Sequence, residues 1–389
     1  MNKRIFQLGW VSFFADIASE MAYPILPLYM VALGAPAAGL GLVEGIAEAI
    51  VSFMKGLSGV QSDRSGRRLP LIRLGYGLSA VGKPLIALAT FWPFVVLARG
   101  LDRVGKGLRT TPRDALISES AEPHQRGAAF GFHRAMDTAG ALVGVIVNLI
   151  LLKLLPEARG SDVRTYQIIF ALAVIPGLFS VWVTHRVTEE PITPNPSVRW
   201  SRSELAKLPR TYWVILGISL LFGLANTSDA FLLMRAKQTG FTDVQTILAY
   251  ALYNVAYTAL AFPFGKLSDR VGRVPVIAAG WAVYAFVYFG FGHDWGSAWL
   301  LFLGYGVYQG LAQGATKALI ADHSPKESKG AAMGFFYMMA GFATLAGNVV
   351  GGILYDRLSP HLMFEICAGL ALVAAVALVA SRGITKVQK

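Results

Sequence analysis

The sequence predicts an all-α membrane protein, with twelve transmembrane helices arranged as two pseudo-symmetric six-helix bundles. Three observations carry that expectation. Of 389 residues, 54% are hydrophobic and only 15% charged, too little polar surface for a water-soluble chain of this length. Apolar windows of about 20 residues, enough to cross a hydrocarbon core about 30 Å thick, follow one another from end to end. Two segments then recur in the second half of the chain, as "GVQSDRSGRR" with "GKLSDRVGRV" and "ALISESAEPHQRGAAFGF" with "ALIADHSPKESKGAAMGF".

The windows place spans at 8–30, 37–58, 70–90, 93–115, 127–152, 166–184, 212–234, 244–264, 274–292, 298–320, 331–353 and 361–381. None shows the short alternating pattern of a barrel strand. Loops between many of them are short, which implies antiparallel neighbours. In span 1, "YPILP" puts Pro24 and Pro27 where each removes a backbone donor and invites a bend. Residues 184–210 are the longest polar stretch and separate an N-terminal bundle (1–184) from a C-terminal bundle (211–389) by a cytoplasmic linker (185–210). Within it "EEPITPNPS" reads as extended chain. Ser201 and Glu204 have capping-box spacing, so residues 201–208 form either a short surface helix or a tether.

A net charge of +12 raises the question of a nucleic-acid partner, and its distribution answers it. In the twelve-span topology nineteen Lys and Arg residues fall on the side of the termini and only six, Lys153, Arg159, Arg164, Arg235, Lys237 and Arg357, on the other. That is the positive-inside pattern, which places both termini in the cytoplasm of a multi-pass plasma (bacterial inner) membrane protein. The first apolar stretch is long and carries acids, unlike a cleavable signal, and is expected to remain as the first helix. Cys367 is the single cysteine, so intramolecular disulfide chemistry is not available.

Asp63 and Asp269 of the two basic turns are 206 residues apart, while Ala115 and Ala318 of the longer match are 203 apart. The chain is therefore two homologous halves. Their turns match the pattern G-x-x-x-D-R-x-G-R-[RK]. The first supplies Gly59, Asp63, Arg64, Gly66, Arg67 and Arg68; the second supplies Gly265, Asp269, Arg270, Gly272 and Arg273, with Val274 where another basic residue is common. With these turns in equivalent loops of two six-span halves, the whole chain resembles the major facilitator superfamily. The resemblance implies two bundles around a central cavity, a monomer, and turns whose aspartate and arginines form a reversible cytoplasmic gate.

Ionisable groups inside hydrocarbon are costly, about 2.5–3.5 kcal/mol each, and are expected to face partners or a wet cavity. Asp16 and Glu20 share a face in span 1, as do Glu44, Glu48 and Lys55 in span 2. In span 4, Asp102, Lys106, Arg109 and Arg113 form a stripe with Arg103 beside it; span 5 adds His133, Arg134 and Asp137. The repeat serves as a control: Arg103, Lys106, Arg109, Arg113, Arg134 and Asp137 align with Gly306, Gln309, Ala312, Thr316, Tyr337 and Ala340. Fold maintenance does not need these charges, which leaves function or half-specific pairing. Glu48–Lys55, Asp102–Lys106 and Asp137–Arg134 are the static pairs that the latter would require.

Depth sorts the candidates. Glu20, Glu48 and Asp137, with Asp16, are proton-coupling candidates, because a carboxylate beside an arginine can exchange its proton as access alternates. Arg103, Lys106, Arg109, Asn226, Asp229, Gln309 and Gln313 are substrate-cavity candidates, with Tyr250, Tyr253, Tyr305 and Tyr308 as aromatic walls. Arg113 and Arg134, nearer the cytoplasm, join the gate. Arg103-x-x-Lys106-Gly107 resembles the superfamily's fourth-helix motif, in which Lys106 replaces the usual glutamine. No phosphate-binding loop, zinc motif or nucleophile elbow occurs, so an enzyme, a metal site and a cofactor are not expected. The expected function is secondary active transport of a small organic solute, as proton-coupled efflux. Alternatives are transport of an organic or phosphorylated anion on the span 4 cations, and a non-transporting receptor or scaffold.

Overall fold

A computed structural model describes residues 2–35, 37–155, 163–196, 198, 205–241, 243–295 and 297–383. Ser201 and Glu204, along with Arg159, Arg199, Arg202, Lys386 and Lys389, lie outside the described residues, as do the side chains of Pro27, Glu44 and Lys237. All regular structure described is helical. Twelve membrane-length elements follow in order: α1 (Lys3–Ala22, then Leu26–Ala32), α2 (Ala37–Ser65), α3 (Leu69–Ala87), α4 (Trp92–Ser120), α5 (Arg126–Leu154), α6 (Val163–Leu172, then Val174–Arg186), α7 (Arg210–Ala225, then Asp229–Gln238), α8 (Asp243–Val271), α9 (Arg273–Gly292), α10 (Ala298–Asp322), α11 (Lys329–Arg357) and α12 (Pro360–Ala380). The twelve spans read from apolar periodicity each meet one of these helices, and several helices run further than their apolar windows.

Local chemistry accounts for the ends. The Asn2 side chain accepts from the Arg4 N–H at 3.1 Å and starts α1. Ser359 accepts from the Leu362 N–H at 3.1 Å, with Pro360 behind it, and starts α12. Helix α1 is interrupted at 23–25, where Pro24 lacks a donor. Helix α7 is interrupted at 226–228, a break that no proline signals.

The chain forms two compact units. One comprises 1–120, 136–199 and 327–335; the other comprises 121–135, 200–326 and 336–389. In the first, α4 packs on α2 and α3, and α6 packs on α1 and α3. In the second, α10 packs on α8 and α9, and α12 packs on α7 and α9. Each contact has its counterpart six helices later, so the sequence repeat is also a packing repeat. Burial is inverted relative to a soluble protein: Leu97, Leu154 and Val376 are exposed, while Asp63, Arg68, Lys83, Arg99, Asp102, Arg109, Arg113 and Asp114 are buried. Apolar surface of that extent faces lipid.

Candidate functional site

The first basic turn is built around Asp63, at the end of α2. Its Oδ1 accepts from the Gly330 N–H at 3.1 Å and its Oδ2 from the Ala331 N–H at 2.6 Å, at the start of α11, where unpaired backbone donors need an acceptor. Arg68 pairs with Asp63 at 2.5 Å and with Glu119 of α4 at 2.8 Å, and its Nη1 also donates to Ser62. Burial pushes the Asp63 carboxyl above the usual carboxylate range, against the guanidinium and the two backbone donors, which pull it back. Gly66 has φ +66°, a left-handed turn conformation that glycine adopts without strain. At Gly59 a Cβ would collide with the Gly330 carbonyl, so glycine lets α2 touch the start of α11.

The linker is strapped onto this turn. The Ile192 N–H donates to the Gly66 carbonyl at 3.0 Å and the Asn195 N–H to the Asp63 carbonyl at 3.2 Å. Glu189 accepts from the Arg68 and Leu69 N–H groups at 2.7 and 3.0 Å, capping α3.

The second turn repeats the plan within the other unit. Asp269 accepts from the Gly127 and Ala128 N–H groups at 2.9 and 2.8 Å, at the start of α5. Arg273 pairs with Asp269 and reaches Asp322 at 3.2 Å, which in turn holds Arg126 at 2.6 Å. At Gly265 a Cβ would meet the Gly127 carbonyl, the mirror of Gly59 and Gly330. Arg273 therefore does here what Arg68 does in the first turn. The missing basic residue at Val274 reflects a one-residue deletion in the turn, and nothing in the network is lost by it. Arg64, Arg67 and Arg270 are exposed, outside these buried networks.

The interior of the first unit is ionic. Asp102, buried on α4, is met by Lys83 at 3.3 Å, Arg99 at 3.4 Å and Arg103 at 3.3 Å. The expected Asp102–Lys106 pair is not among the ion pairs of the described residues: the carboxylate points to α3 and its own helix, while Lys106 is exposed. Arg109 lies 4.1 Å from the Tyr76 ring centre, and Arg113 bonds Asp114 at 3.0 Å and the Ser12 hydroxyl at 3.1 Å. Asp16 on α1 and Asp137 on α5 are close enough for their charges to act on each other, with Lys106 and Arg109 the cations acting on Asp16. Lys106 is also the cation acting most strongly on Glu20 and on Glu48. Glu20 is half-buried and Glu48 exposed.

The interior of the second unit is aromatic. Tyr305 donates to Asp229 at 2.6 Å, Tyr308 to the Asn226 side chain at 3.2 Å, and Gln313 to Gln309 at 2.9 Å. Tyr284 stacks on Tyr288 with ring centres 4.0 Å apart. Arg134 bonds the Tyr257 hydroxyl. The structure sets Lys106 beside Asp16, Glu20 and Glu48, whereas the sequence grouped it with the substrate-cavity candidates, of which Asp229, Asn226, Gln309 and Gln313 lie in the second unit. Sequence reasoning missed Lys83 and Arg99 as partners of Asp102. Lys83, a cation deep in the third span, was the available signal.

Two six-helix halves, ionisable groups buried within hydrocarbon-facing helices, and a doubled charged turn define a class: a polytopic membrane transporter. The chain belongs to the major facilitator superfamily, whose sequence profile matches residues 8–247 and 228–388. It is 34% identical over 386 residues to an uncharacterized MFS-type transporter of Methanocaldococcus jannaschii, covering 97% of this chain and 94% of that one. It is 24% identical over 348 residues to the multidrug resistance protein MdtH of Photorhabdus laumondii, covering 86% of this chain and 82% of that one. Its fold is similar to that of the human organic anion transporter MFSD10 (TETRAN), with a TM-score of 0.78 over 97% of this chain and 99% of that one at 16% identity. It is an integral membrane transporter of small molecules, not an enzyme.

Proposed function

We propose that this transporter is a proton-coupled antiporter that exports a small organic solute by alternating access, as a monomer in the plasma (bacterial inner) membrane with both termini cytoplasmic. One observation carries the coupling: Asp16 of α1 and Asp137 of α5 are like charges close enough to act on each other inside the first unit, beside the cations Lys106 and Arg109. Two carboxylates brought together favour one shared proton over two negative charges, and separating them or bringing a cation closer favours its release, which is the exchange that coupling requires. Lys106, which acts on Asp16, Glu20 and Glu48, is the cation placed to do so, and Arg103 and Arg109 complete the field. The likeness to a multidrug resistance protein supports export as the direction.

In proteoliposomes under an imposed pH gradient, substrate flux is expected to follow the gradient in the native chain. In Asp137→Asn it is expected to fall to the rate measured without a gradient. Gradient-driven flux of normal size in both Asp137→Asn and Asp16→Asn would remove the pair from the mechanism. A second reading, transport of an organic anion, is favoured by the three cations gathered on Asp102. It predicts anion flux that is abolished by neutralising Arg103 or Lys106.

A further inference from the structure

We propose that Asp229 and the tyrosines around it form a binding site for an organic cation, the positively charged moiety of the transported solute. This rests on the transporter reading above and names its substrate class.

Helix α7 stops at Ala225 and restarts at Asp229. Asn226 still donates to the Phe222 carbonyl at 2.9 Å, but the Thr227 N–H turns to the Ala225 carbonyl at 2.9 Å and the Ser228 N–H is taken up by the Asn348 side chain at 2.6 Å. Within a bilayer such irregular backbone is tolerated where it is covered by protein or lines a cavity, and interrupted helices are where transporters place solute-binding groups. Asp229 is the first residue after the break and is half-buried. Its carboxyl accepts from the Tyr305 hydroxyl at 2.6 Å, Tyr253 packs against the Tyr305 ring, and no lysine or arginine hydrogen-bonds to the carboxyl among the described residues.

The surroundings select the sign of the ligand. Tyr253 and Tyr305 have ring centres 5.1 Å apart, Tyr250 and Tyr253 5.3 Å, and Tyr305 and Tyr308 5.3 Å. Aromatic faces carry negative potential, so a single carboxylate among them attracts a diffuse positive charge and repels an anion. The same cluster already holds one cation. The Arg134 guanidinium lies 5.1 Å from the ring centre of Tyr257, which stacks at 6.3 Å on Tyr253, and Arg134 is the cation whose charge acts on Asp229.

Asp102, a buried carboxylate of the first unit, differs in the decisive respect. Three cations occupy it, leaving no capacity for a cationic ligand. Asp229 has that capacity.

The test uses two probes of one shape and opposite charge, tetraphenylphosphonium and tetraphenylborate, titrated onto the purified full-length chain in detergent with intrinsic tryptophan fluorescence as the readout. The native chain is expected to bind the phosphonium saturably and more tightly than the borate. Asp229→Asn is expected to weaken phosphonium binding about tenfold or more, the scale of losing a partner charge in a desolvated site. Tyr305→Leu and Tyr253→Leu are each expected to weaken it about fivefold. Glu365→Gln, an acid paired with His293 elsewhere in the unit, is expected to leave it unchanged.

Phosphonium binding of native strength in Asp229→Asn overturns the proposal, as does borate binding that is equally tight and equally sensitive to Asp229. Should Asp229→Asn fail to elute as a folded monomer, the two tyrosine variants decide: native-strength binding in both overturns it. Binding needs no proton gradient. Failure of the coupling experiment on Asp137 would therefore leave this result standing, and failure here would leave proton coupling intact.

Discussion

Asp102 shows what a buried charge requires at the scale of a residue. One carboxylate answers three cations, so the cluster tolerates loss of a cation far better than loss of the anion. Lys83→Met leaves Asp102 with Arg99 and Arg103, and its cost is expected to stay within about 1–2 kcal/mol. Asp102→Asn leaves three cations facing one another and is expected to cost about 3–5 kcal/mol. Thermal unfolding in detergent checks the order: a larger loss of Tm for Lys83→Met than for Asp102→Asn would contradict the account. Asp102 and Arg103 of this cluster were legible in the sequence, because an ionisable residue in an apolar span announces itself. Its pairing was not, because spacing along α4 favours Asp102–Lys106, and only the packing of α3 against α4 brings Lys83 to the carboxylate.

Helices in this chain meet at glycines, and the reciprocal pairs give the element-scale test. At Gly59 an added Cβ would strike the Gly330 backbone carbonyl, whereas at Gly77 it would meet nothing within 4 Å. Gly59→Ala is therefore expected to destabilise by about 1–3 kcal/mol through overpacking. Gly77→Ala should be neutral or stabilising by up to about 1 kcal/mol, since alanine favours helix. Unfolding temperatures that move the same way in both variants would refute the contact. The same scale shows what the repeat conserves. Lys83 and Asp102 align with Tyr288 and Tyr305, so one packing plan encloses an ionic interior in the first unit and an aromatic one in the second. Interruption of α7 was illegible, since Asn226, Thr227 and Ser228 carry no breaker; side-chain acceptors from other helices, such as Asn348, make the break affordable.

Taken as a whole molecule, the chain uses one device twice: an aspartate ending α2 or α8 that accepts the free N–H groups opening α11 or α5. Asp63→Asn and Asp269→Asn are each expected to lower flux, and the double variant further than either, while Arg64→Gln and Arg270→Gln, at exposed positions, should retain most of it. Proteoliposome flux measured on all five proteins checks this; native flux in the double variant would reduce the turns to structural caps. By itself, the sequence determined the membrane class, the twelve spans, the duplication and many of the charges set within the spans. These depend on composition and periodicity, which the chain carries locally. Only the tertiary structure decided which carboxylate meets which cation, that Arg273 stands in for Arg68, and that Asp229 sits among tyrosines. Those outcomes depend on helices distant in sequence approaching within a few ångströms, and no local pattern encodes that distance.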